Sequence, residues 1–473
     1  MLKIVYLSQD SESVNYSFPA LLSEKNKDFK LVLPKKEHLC RNDVPADFVK
    51  IQKFLSYECK DADYLLISLD ALLYGGVVPS RKHYISKKEL SARFGLLSAI
   101  KKERRDLKIY AFTSLMRSLP YTCGEGEPEY YGICGEEIFL FGQNEHLRKK
   151  KVIGRKTYSD NKRVLLPICE PYLKDYTERR KKNLFMVKCA LKSVGKTIDR
   201  LIITGDAASH YGYYSMDFKK IERLLKKKEK SADFKFGSDG AAQAFLTRIE
   251  TEIKKIFPKI CPIYANPTDK KTERRINSAI SVSGAELSAE AQADILLFCN
   301  LPAPNNEIIV DLSGKPNYAN FVYKMKKNID DKKVIALADN IGGVGGDAEL
   351  LNLISKKIGI FRLSAYSSRK SVDETVAEAL LQSIFYYFEG NNKWHRNRIA
   401  LRVYEDVGLT RSIAELKDRA QRGSRAVSLK TLVKQYVEKG VPEVSERYVS
   451  DLIVSDFGYY KEIELKTEEK KEK

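Results

Sequence analysis

Long apolar runs are absent from this sequence. No apolar stretch reaches the roughly 18 residues that a membrane-spanning helix requires. The N-terminus begins directly with the strand-like segment LKIVYLS and lacks the basic region and the longer apolar stretch of a secretory signal peptide. These absences predict a soluble, cytoplasmic protein with no membrane partner.

Residues that commonly hold metals are also scarce. The 473 residues include only five histidines, and none of the eight cysteines forms a CxxC pair. Cys189 and Cys299 lie inside apolar runs, where a free cysteine behaves as a small hydrophobic residue. The sequence therefore argues against a zinc site and predicts no cofactor, and a divalent cation bound by carboxylates is the alternative.

A third absence concerns nucleic acid. The net charge is +20, but the lysines are scattered in short groups, and aromatic and basic residues do not interleave as a single-strand-binding platform requires. We therefore expect solvated helix surfaces and a small polar ligand, with no specific nucleic-acid partner. The sequence carries no signal for an oligomeric state.

What the sequence does contain is a series of strand-like apolar runs that end in acidic residues. These residues are Asp10, Asp70, Asp206, Asp239 and Asp339. In open α/β sheets and in α/β barrels, ligands bind beyond the carboxyl ends of the parallel strands. The pattern predicts one polar cleft lined by carboxylates, which is typical of an enzyme or a small-molecule binder.

Strand-like and helix-like segments alternate along most of the chain, which predicts an α/β fold with parallel sheets. The predicted strands lie near residues 3–8, 30–33, 64–69, 108–113, 200–204, 234–236, 262–265, 294–299, 333–338 and 359–365. Two doubly wound, Rossmann-like lobes fit this number of strands. A (β/α)8-like barrel with extra strands is the alternative, because a doubly wound sheet needs polar strand ends only near its switch point.

Breaks in the alternation predict the domain boundaries. Between Phe112 and Leu201 the chain holds a Gly/Glu-rich loop and a long charged helix, and after about residue 392 it is helical and charged without a strong strand. We predict an N-terminal α/β lobe over 1–190 with an insertion at about 115–165. A C-terminal α/β lobe over 191–391 and a helical, charged region over 392–473 follow it.

Two strand-to-helix segments concentrate the candidate residues. In LDALLYGGVVPSRKH, Asp70 ends a strand, a glycine pair permits a close backbone approach, and Arg81 falls in the first turn of the next helix, where it is expected to face an anion. In LIITGDAASHYGYYSMD, Asp206 and His210 are close enough in sequence for acid–base chemistry. An ordinary strand-to-helix turn and an exposed loop histidine are the respective alternatives.

A third segment, LADNIGGVGGDAELL, joins a strand to a helix through two glycine pairs, with Asp347 at the predicted N-cap. Glycine-rich loops of this kind bind phosphate through backbone N–H groups, but this one matches neither the dinucleotide-binding nor the Walker pattern. We predict a loop shaped around a ligand. Asn300 ends another strand, and Asn15 and Arg117 follow two further strands.

These segments together resemble the DUF4127 family, bacterial proteins of similar length without an assigned activity. The resemblance runs from residue 8 to about 370 and is carried by QDSESVN, LISLDALLYGGVVPSR, YAFTSLMR, GDAASHYGY, FGSDG, NLP, ALADNIGGVGGD and AYSS. It implies a strand-end polar cluster of Asp70, Tyr74, Gly75, Gly76, Arg81, Arg117, Asp206, Tyr211, Gly212, Asp239 and Asp347. Some positions depart from the family pattern, such as Ala207 and Gly240, and each departure removes a polar group.

The first functional hypothesis is hydrolysis of a carbohydrate-like substrate by two carboxylic acids, one donating a proton to the leaving group and one acting as base or nucleophile. Asp70 and Asp206 are the predicted pair, with Asp10 and Asp239 as alternates. The predicted substrate-binding residues are Asn15, Tyr74, Gly75, Gly76, Arg81, Arg117, His210, Tyr211, Asn300, Asp339 and Asp347. A ligand-binding or regulatory protein without catalysis is the second hypothesis, and a metal-dependent hydrolase is the third.

Overall fold

A computed structural model describes most of the chain. The described residues are 1–12, 14–24, 26–41, 43–205, 210–302, 318–341, 346–369, 371–422, 427–456 and 461–469. They form two compact units, Met1–Ala242 and Gln243–Lys473. In the described part of the chain, no helix combines the length and the apolar composition needed to cross a membrane.

Six parallel strands form the sheet of the first unit. They are β1 (Leu2–Leu7), β2 (Phe29–Val32), β3 (Tyr64–Ser68), β4 (Lys108–Ser114), β5 (Arg200–Gly205) and β6 (Ala232–Phe236). Their order across the sheet is β2-β1-β3-β4-β5-β6. Because β1 lies between β2 and β3, the winding of the sheet reverses between β1 and β3, and this is where a doubly wound fold binds ligands. The continuous apolar run of β3 is fully buried, as expected for a central parallel strand.

Helices connect these strands. They are α1 (Ser17–Ser23), α2 (Phe48–Glu58), α3 (Leu69–Tyr74), α4 (Pro79–Lys82), α5 (Lys87–Glu103), α6 (Tyr131–Lys149), α7 (Arg155–Ser193) and α8 (Tyr213–Lys226), with a 3₁₀ turn at Lys36–His38. Side-chain caps fix two of the helix starts: Asp47 accepts a hydrogen bond from the Lys50 N–H, and Ser86 accepts one from the Glu89 N–H.

The predicted insertion is a pair of helices, α6 and α7, placed between β4 and β5. A small apolar core of its own holds it together, with Met116, Tyr131, Ile138 and Tyr176 among the buried members. The charged helix predicted for 170–196 is much longer than expected, because α7 continues back to Arg155 through Pro167 and Pro171.

Five parallel strands form the sheet of the second unit. They are β7 (Lys259–Tyr264), β8 (Glu286–Leu287), β9 (Ile295–Asn300), β10 (Val334–Asp339) and β11 (Ala365–Ser367), in the order β8-β7-β9-β10-β11. The first strand of this sheet again lies between the second and the third. Both units therefore wind in the same way, with the reversal of the second unit between β7 and β9.

The helices of the second unit connect its strands and form its C-terminal part. They are α9 (Ala241–Lys254), α10 (Lys270–Val282), α11 (Ala319–Asp330), α12 (Ala348–Lys357), α13 (Val372–Glu389), α14 (Lys393–Arg402), α15 (Thr410–Gln421), α16 (Leu429–Gly440) and α17 (Pro442–Arg447). Two 3₁₀ turns at Glu290–Gln292 and Ile360–Arg362 and a π-helix at Val403–Leu409 complete the set.

The fold class is confirmed, since strands and helices alternate in two all-parallel, doubly wound sheets. The alternative of a single (β/α)8-like barrel is excluded because each described sheet is open and has two edge strands. The boundary between the units differs from the predicted one near residue 190. Strands β5 and β6 pair with β4 in the first sheet, so the first unit extends to Ala242.

Two details of the C-terminal half also differ from expectation. The apolar run near 359–365 is mostly a 3₁₀ turn, and only Ala365–Ser367 forms the strand β11. The C-terminal region is helical through Arg447, as predicted, but an antiparallel pair follows it, β12 (Tyr448–Asp456) and β13 (Lys461–Glu469). The prediction of no strong strand after about 392 missed this pair: polar and apolar residues alternate in the EIELK part of β13, but β12 (YVSDLIVSD) has no regular alternation.

Candidate active site

A pair of carboxylates, Asp10 and Asp239, meets at the carboxyl edge of the first sheet. The Asn15 Nδ2 atom donates to Asp10 Oδ1 at 3.0 Å and to Asp239 Oδ1 at 2.9 Å. The Gln9 Nε2 atom donates to the same Asp239 oxygen at 2.6 Å. Since one nitrogen contacts an oxygen of each carboxylate, these two oxygens lie no more than about 6 Å apart.

The local chain path fixes both acids. Asp10 follows β1, and its carboxylate accepts the Glu12 N–H at 3.0 Å, which closes a tight turn. The buried Tyr6 hydroxyl donates to the Asn15 backbone oxygen at 2.6 Å, which holds the bridging amide in place. Asp239 comes from the loop after β6, where Gly237 and Gly240 both have positive φ angles of 75° and 85°.

Sheet order alone does not bring these two acids together. β6 lies four positions from β1, which is about 19 Å at the usual strand spacing. The three residues from Gly237 to Asp239 span at most about 11 Å, so the segments that follow β1 and β6 have to approach each other along the carboxyl edge. In keeping with this path, Ser238 lines a small cavity of about 20 Å³ together with Ser114 and Thr204, at the ends of β4 and β5.

Burial dominates the electrostatics of Asp10. Burial, together with the negative charges of Glu12 and Asp239, raises the pKa of Asp10 well above its ordinary value, although hydrogen bonds from Asn15 and the Glu12 N–H act in the opposite direction. Burial, together with the negative charges of Asp10 and Asp239, raises the pKa of the Tyr6 hydroxyl. Asp10 therefore holds a proton more readily than an ordinary aspartate does.

Asp70, the first predicted catalytic residue, accepts hydrogen bonds from the end of the neighbouring strand β4. It lies in the first turn of α3 and is 2% exposed. Its carboxylate accepts the Thr113 hydroxyl at 3.0 Å and the Ser114 N–H at 2.7 Å, so it joins the end of β3 to the end of β4. Burial raises the pKa of Asp70 to about 6, against the effect of these hydrogen bonds and of Arg81.

We expect Asp70→Asn to alter the pH dependence of stability of the first unit. A raised pKa means that the folded state favours protonated Asp70, so this contribution is complete below about pH 4 and is lost as pH rises through about 6. The stability of Asp70→Asn relative to wild type should therefore increase by on the order of 3 kcal/mol between pH 4 and pH 7.

Hydrogen exchange of the β3 and β4 amides, converted to opening free energies at each pH, measures this effect. Glu103→Gln, which removes an exposed carboxylate at the end of α5, provides the control and should follow wild type at every pH. Parallel pH curves for wild type and Asp70→Asn would contradict the assignment.

The two predicted substrate arginines share an internal carboxylate. Glu127, 2% exposed, lies 2.6 Å from Arg117 Nε and 3.2 Å from Arg81 Nε through the same oxygen, Oε1. Arg81 Nε also donates to the Gly126 carbonyl at 2.8 Å. The structure thus places Arg81 and Arg117 together, but it balances part of their charge internally. Glu127 lies in the Gly/Glu-rich loop, and its role had no sequence signal beyond that composition.

Three residues of the YGG segment are committed to packing. Tyr74 is buried in the core of the first unit, with its ring 4.7 Å from the His83 ring. Gly75 ends α3 at a φ of 88°, and an added Cβ would lie 2.5 Å from Pro45 Cβ. A Cβ on Gly76 would lie 2.5 Å from Cys40 Sγ. These glycines permit close packing of the segment that carries Asp70.

Two residues before the start of α8, Tyr211 and Gly212, contact His146 of α6. His210 is exposed, and the Tyr211 ring lies 5.4 Å from the His146 ring. Gly212 donates its N–H to His146 Nδ1 at 3.1 Å. Asp206, the second member of the predicted catalytic pair, lies outside the described residues.

A second polar cluster lies at the carboxyl edge of the second sheet. Asp339, fully buried at the end of β10, accepts the Asn300 amide at 2.8 Å and the Asp347 N–H at 2.6 Å. Asp347 caps α12 through its Oδ1 atom, which accepts the Glu349 and Leu350 N–H groups. Its Oδ2 atom accepts the Tyr318 hydroxyl at 2.8 Å. Burial raises the pKa of Asp339 to about 7. Asn300, Asp339 and Asp347 therefore lie together at this edge of the second sheet, apart from the first-sheet acids with which Asp339 was predicted to share one cleft.

This second cluster also contains polar atoms without partners. Among the described residues, Asn300 Oδ1 and the Tyr366 hydroxyl are buried and accept or donate no hydrogen bond. The cluster is closely packed nevertheless, since a Cβ on Gly346 would lie 1.8 Å from the Tyr366 hydroxyl and 3.1 Å from Asp339 Oδ2. With both carboxylates bound to backbone N–H groups, the cluster has the character of a structural cap more than of an open site.

Sequence reasoning missed a buried ionic network in the second unit. Arg402, at the end of α14, contacts Glu378 at 3.0 Å and Asp406 at 3.6 Å, and it also contacts Glu405. Arg369 adds contacts to Glu378 at 3.2 Å and to Asp406 at 3.5 Å. Charged residues on a helix usually form a solvated face, so nothing in the sequence of α13, α14 and the π-helix indicates that Glu378, Arg402 and Asp406 are buried.

Among the described residues, no three His, Cys, Asp or Glu side chains converge as a metal site would require.

The family model described as "Protein of unknown function (DUF4127)" matches residues 4–464, almost the entire chain. This chain belongs to the DUF4127 family. The match extends the resemblance seen in the motifs to the C-terminal region of this DUF4127 member. A comparison with curated proteins finds no match.

Proposed function

We propose that this DUF4127 protein hydrolyses a hydroxyl-rich, carbohydrate-like substrate at the carboxyl edge of the first sheet, with Asp10 as general acid and Asp239 as base or nucleophile. The observation that carries the proposal is the single amide of Asn15, which holds both carboxylates while their environments differ. An acid with a raised pKa beside a second carboxylate is the arrangement that glycoside hydrolysis uses.

The location and exposure of the pair support a catalytic role. Asp10 follows β1, beside the point where the sheet winding reverses. Both carboxylates are half-buried, whereas Asp70 is almost completely buried and saturated by Thr113 and Ser114. We therefore assign the acid–base pair to Asp10 and Asp239, the alternates of the sequence analysis, and a structural role to Asp70.

The substrate class follows from the charges near the pair. Arg81 and Arg117 already contact Glu127, which disfavours their use as a clamp for a strongly anionic substrate. The side chains that contact the acids are the buried amides of Gln9 and Asn15, which add no positive charge beside the pair. A neutral sugar or a similar polyol derivative fits these groups best.

The test is a screen of the purified protein against aryl glycosides and aryl esters, with and without Mg²⁺ or Mn²⁺. We expect glycoside turnover that falls by about 10² to 10⁴ in both Asp10→Asn and Asp239→Asn, the usual contribution of acid–base catalysis. Glu103→Gln, the exposed carboxylate control, should retain full turnover. Turnover that persists in both aspartate variants would refute the assignment, and ligand binding without turnover would favour a non-catalytic binding protein.

A further inference from the structure

A cavity of about 490 Å³ lies among helices α6, α7 and α8 of the first unit. Six of its lining residues are basic: Lys149, Lys150, Arg180, Lys181, Lys219 and Lys220. Only one carboxylate, Asp217, is in the described lining. A concave surface with this balance of charge concentrates anions, since the low-dielectric walls focus the positive field.

The floor of the cavity is built rigidly. The Arg180 guanidinium lies 2.8 Å from Asp217 and also donates to the Met116 and Arg117 carbonyls at 2.9 Å and 2.8 Å. Lys220 contacts the other Asp217 oxygen at 2.9 Å. Asp217, the one carboxylate in the described lining, is therefore shared between Arg180 and Lys220, and none of the four other lysines is paired with it.

The lysines at the rim differ in how they are paired. Lys219 contacts Glu222 at 2.6 Å, and Lys149 lies 3.9 Å from Glu145. Lys150 and Lys181 are exposed and form no ion pair with any described residue. Two ammonium groups are thus available on opposite helices, α6 with its C-terminal cap and α7.

One wall of the cavity is a neutral histidine. His146 Nδ1 accepts the Gly212 N–H at 3.1 Å, which assigns the ring proton to Nε2 and leaves a donor for a ligand. Burial, with the nearby Lys150 and Lys149, lowers the pKa of His146. The positive charges of Lys150 and Lys149 therefore disfavour a second proton on the His146 ring.

We propose that this cavity binds a small molecule that carries two or more phosphate groups. Its volume is in the range of small-ligand sites, roughly 300–1,000 Å³. Lysine binds phosphate as a point charge, whereas planar carboxylate recognition favours arginine, and the one arginine here is committed to Asp217. A concave site of this volume between three helices fits a compact polyanion better than a nucleic-acid duplex. This site is separate from the acid pair and does not depend on the proposed hydrolysis.

Calorimetric titration of the full chain with inorganic tripolyphosphate and with adenosine triphosphate tests the proposal. Both should bind, and the double variant Lys150→Gln/Lys181→Gln should weaken the binding at least about tenfold, the effect of two lost charge-assisted contacts. The control Lys326→Gln/Lys327→Gln removes the same charge from exposed positions on α11 and should change the affinity less than about twofold.

The outcomes separate the alternatives. Equal weakening in both double variants would show that only the net charge of the protein matters, and this would overturn the proposal, as would the absence of binding to either probe. A stronger interaction with adenosine triphosphate than with tripolyphosphate would identify a nucleotide, and equal affinities would identify the phosphate chain alone. If a DNA duplex binds more tightly than both and loses affinity in Lys150→Gln/Lys181→Gln, the cavity serves nucleic acid and the small-molecule proposal is wrong.

Discussion

Arg402→Met is expected to destabilise the second unit by about 3 to 5 kcal/mol, the cost of leaving a buried charge without its partner. Arg402 is completely buried and contacts Glu378, Glu405 and Asp406. Burial lowers the pKa of Arg402, but these carboxylates outweigh it and raise the pKa above its ordinary value. In the variant, only Arg369 would remain among the described residues to face three acids.

The sole tryptophan makes this measurement specific. Trp394 lies in α14, so its fluorescence during urea unfolding reports on the second unit. Arg396→Met, on the same helix and without an ion pair among the described residues, is the control and should shift the free energy of unfolding by less than about 0.5 kcal/mol. The double variant Arg402→Met/Glu378→Gln should recover part of the loss, because it also removes a stranded carboxylate. Equal effects of Arg402→Met and Arg396→Met would contradict the network.

The same network contains an acid with a raised pKa. Burial raises the pKa of Asp406 to about 7 despite the attraction of Arg402 and Arg369. Three carboxylates thus face two guanidinium groups, and a proton on Asp406 removes the excess negative charge. The π-helix that carries Glu405 and Asp406 is a local departure from α-helical geometry, as is common where a helix must present unusual side chains.

The second large effect is a difference between Asp10→Asn and Asp239→Asn, the variants of the two proposed catalytic aspartates, that depends on the leaving group of the substrate. Asp10→Asn should lower kcat/KM by about 10² to 10⁴ for glycosides with poor leaving groups, which need protonation as the bond breaks. With a strongly activated leaving group the loss should be far smaller, because little protonation is required. Asp239→Asn should lower kcat/KM with both kinds of substrate, because the attack at the sugar carbon requires it in every case.

A series of aryl glycosides with leaving groups of increasing acidity measures this split. The logarithm of kcat/KM should depend more steeply on leaving-group pKa in Asp10→Asn than in wild type, and the slope of Asp239→Asn should stay near the wild-type value. If both variants lose the same factor across the series, the acid and base roles are not divided between Asp10 and Asp239.

The alternation of strands and helices was predictable because central parallel strands read as continuous apolar runs. The segment YLLIS illustrates this, since all of its residues are buried in β3. The sheet order and the position of β5 and β6 in the first unit were not predictable, because strand pairing depends on the path of the crossover connections that join the strands. The two-residue strand β8, Glu286–Leu287, is too short and too polar to leave a hydrophobic signal.

The candidate site was predictable only in part. Strand-end acids pointed to the carboxyl edge of the first sheet, but which acids meet depends on loop paths, and Asp239 reaches Asn15 although β6 and β1 lie four positions apart. Asp70 had the strongest motif and is held by Thr113 and Ser114, because a buried acid beside a neighbouring strand serves as a cap. Sequence alone does not separate a capping carboxylate from an exposed one.

The most direct test of the central claim is the titration of the Asp10 carboxyl group, followed by ¹³C NMR in aspartate-labelled protein and assigned by its loss in Asp10→Asn. We predict that Asp10 titrates well above the ordinary value of about 3.9 and that its pKa falls in Asp239→Asn, where the neighbouring negative charge is gone. An Asp10 carboxyl that titrates near 3.9 and is unaffected by Asp239→Asn would contradict a functional acid pair.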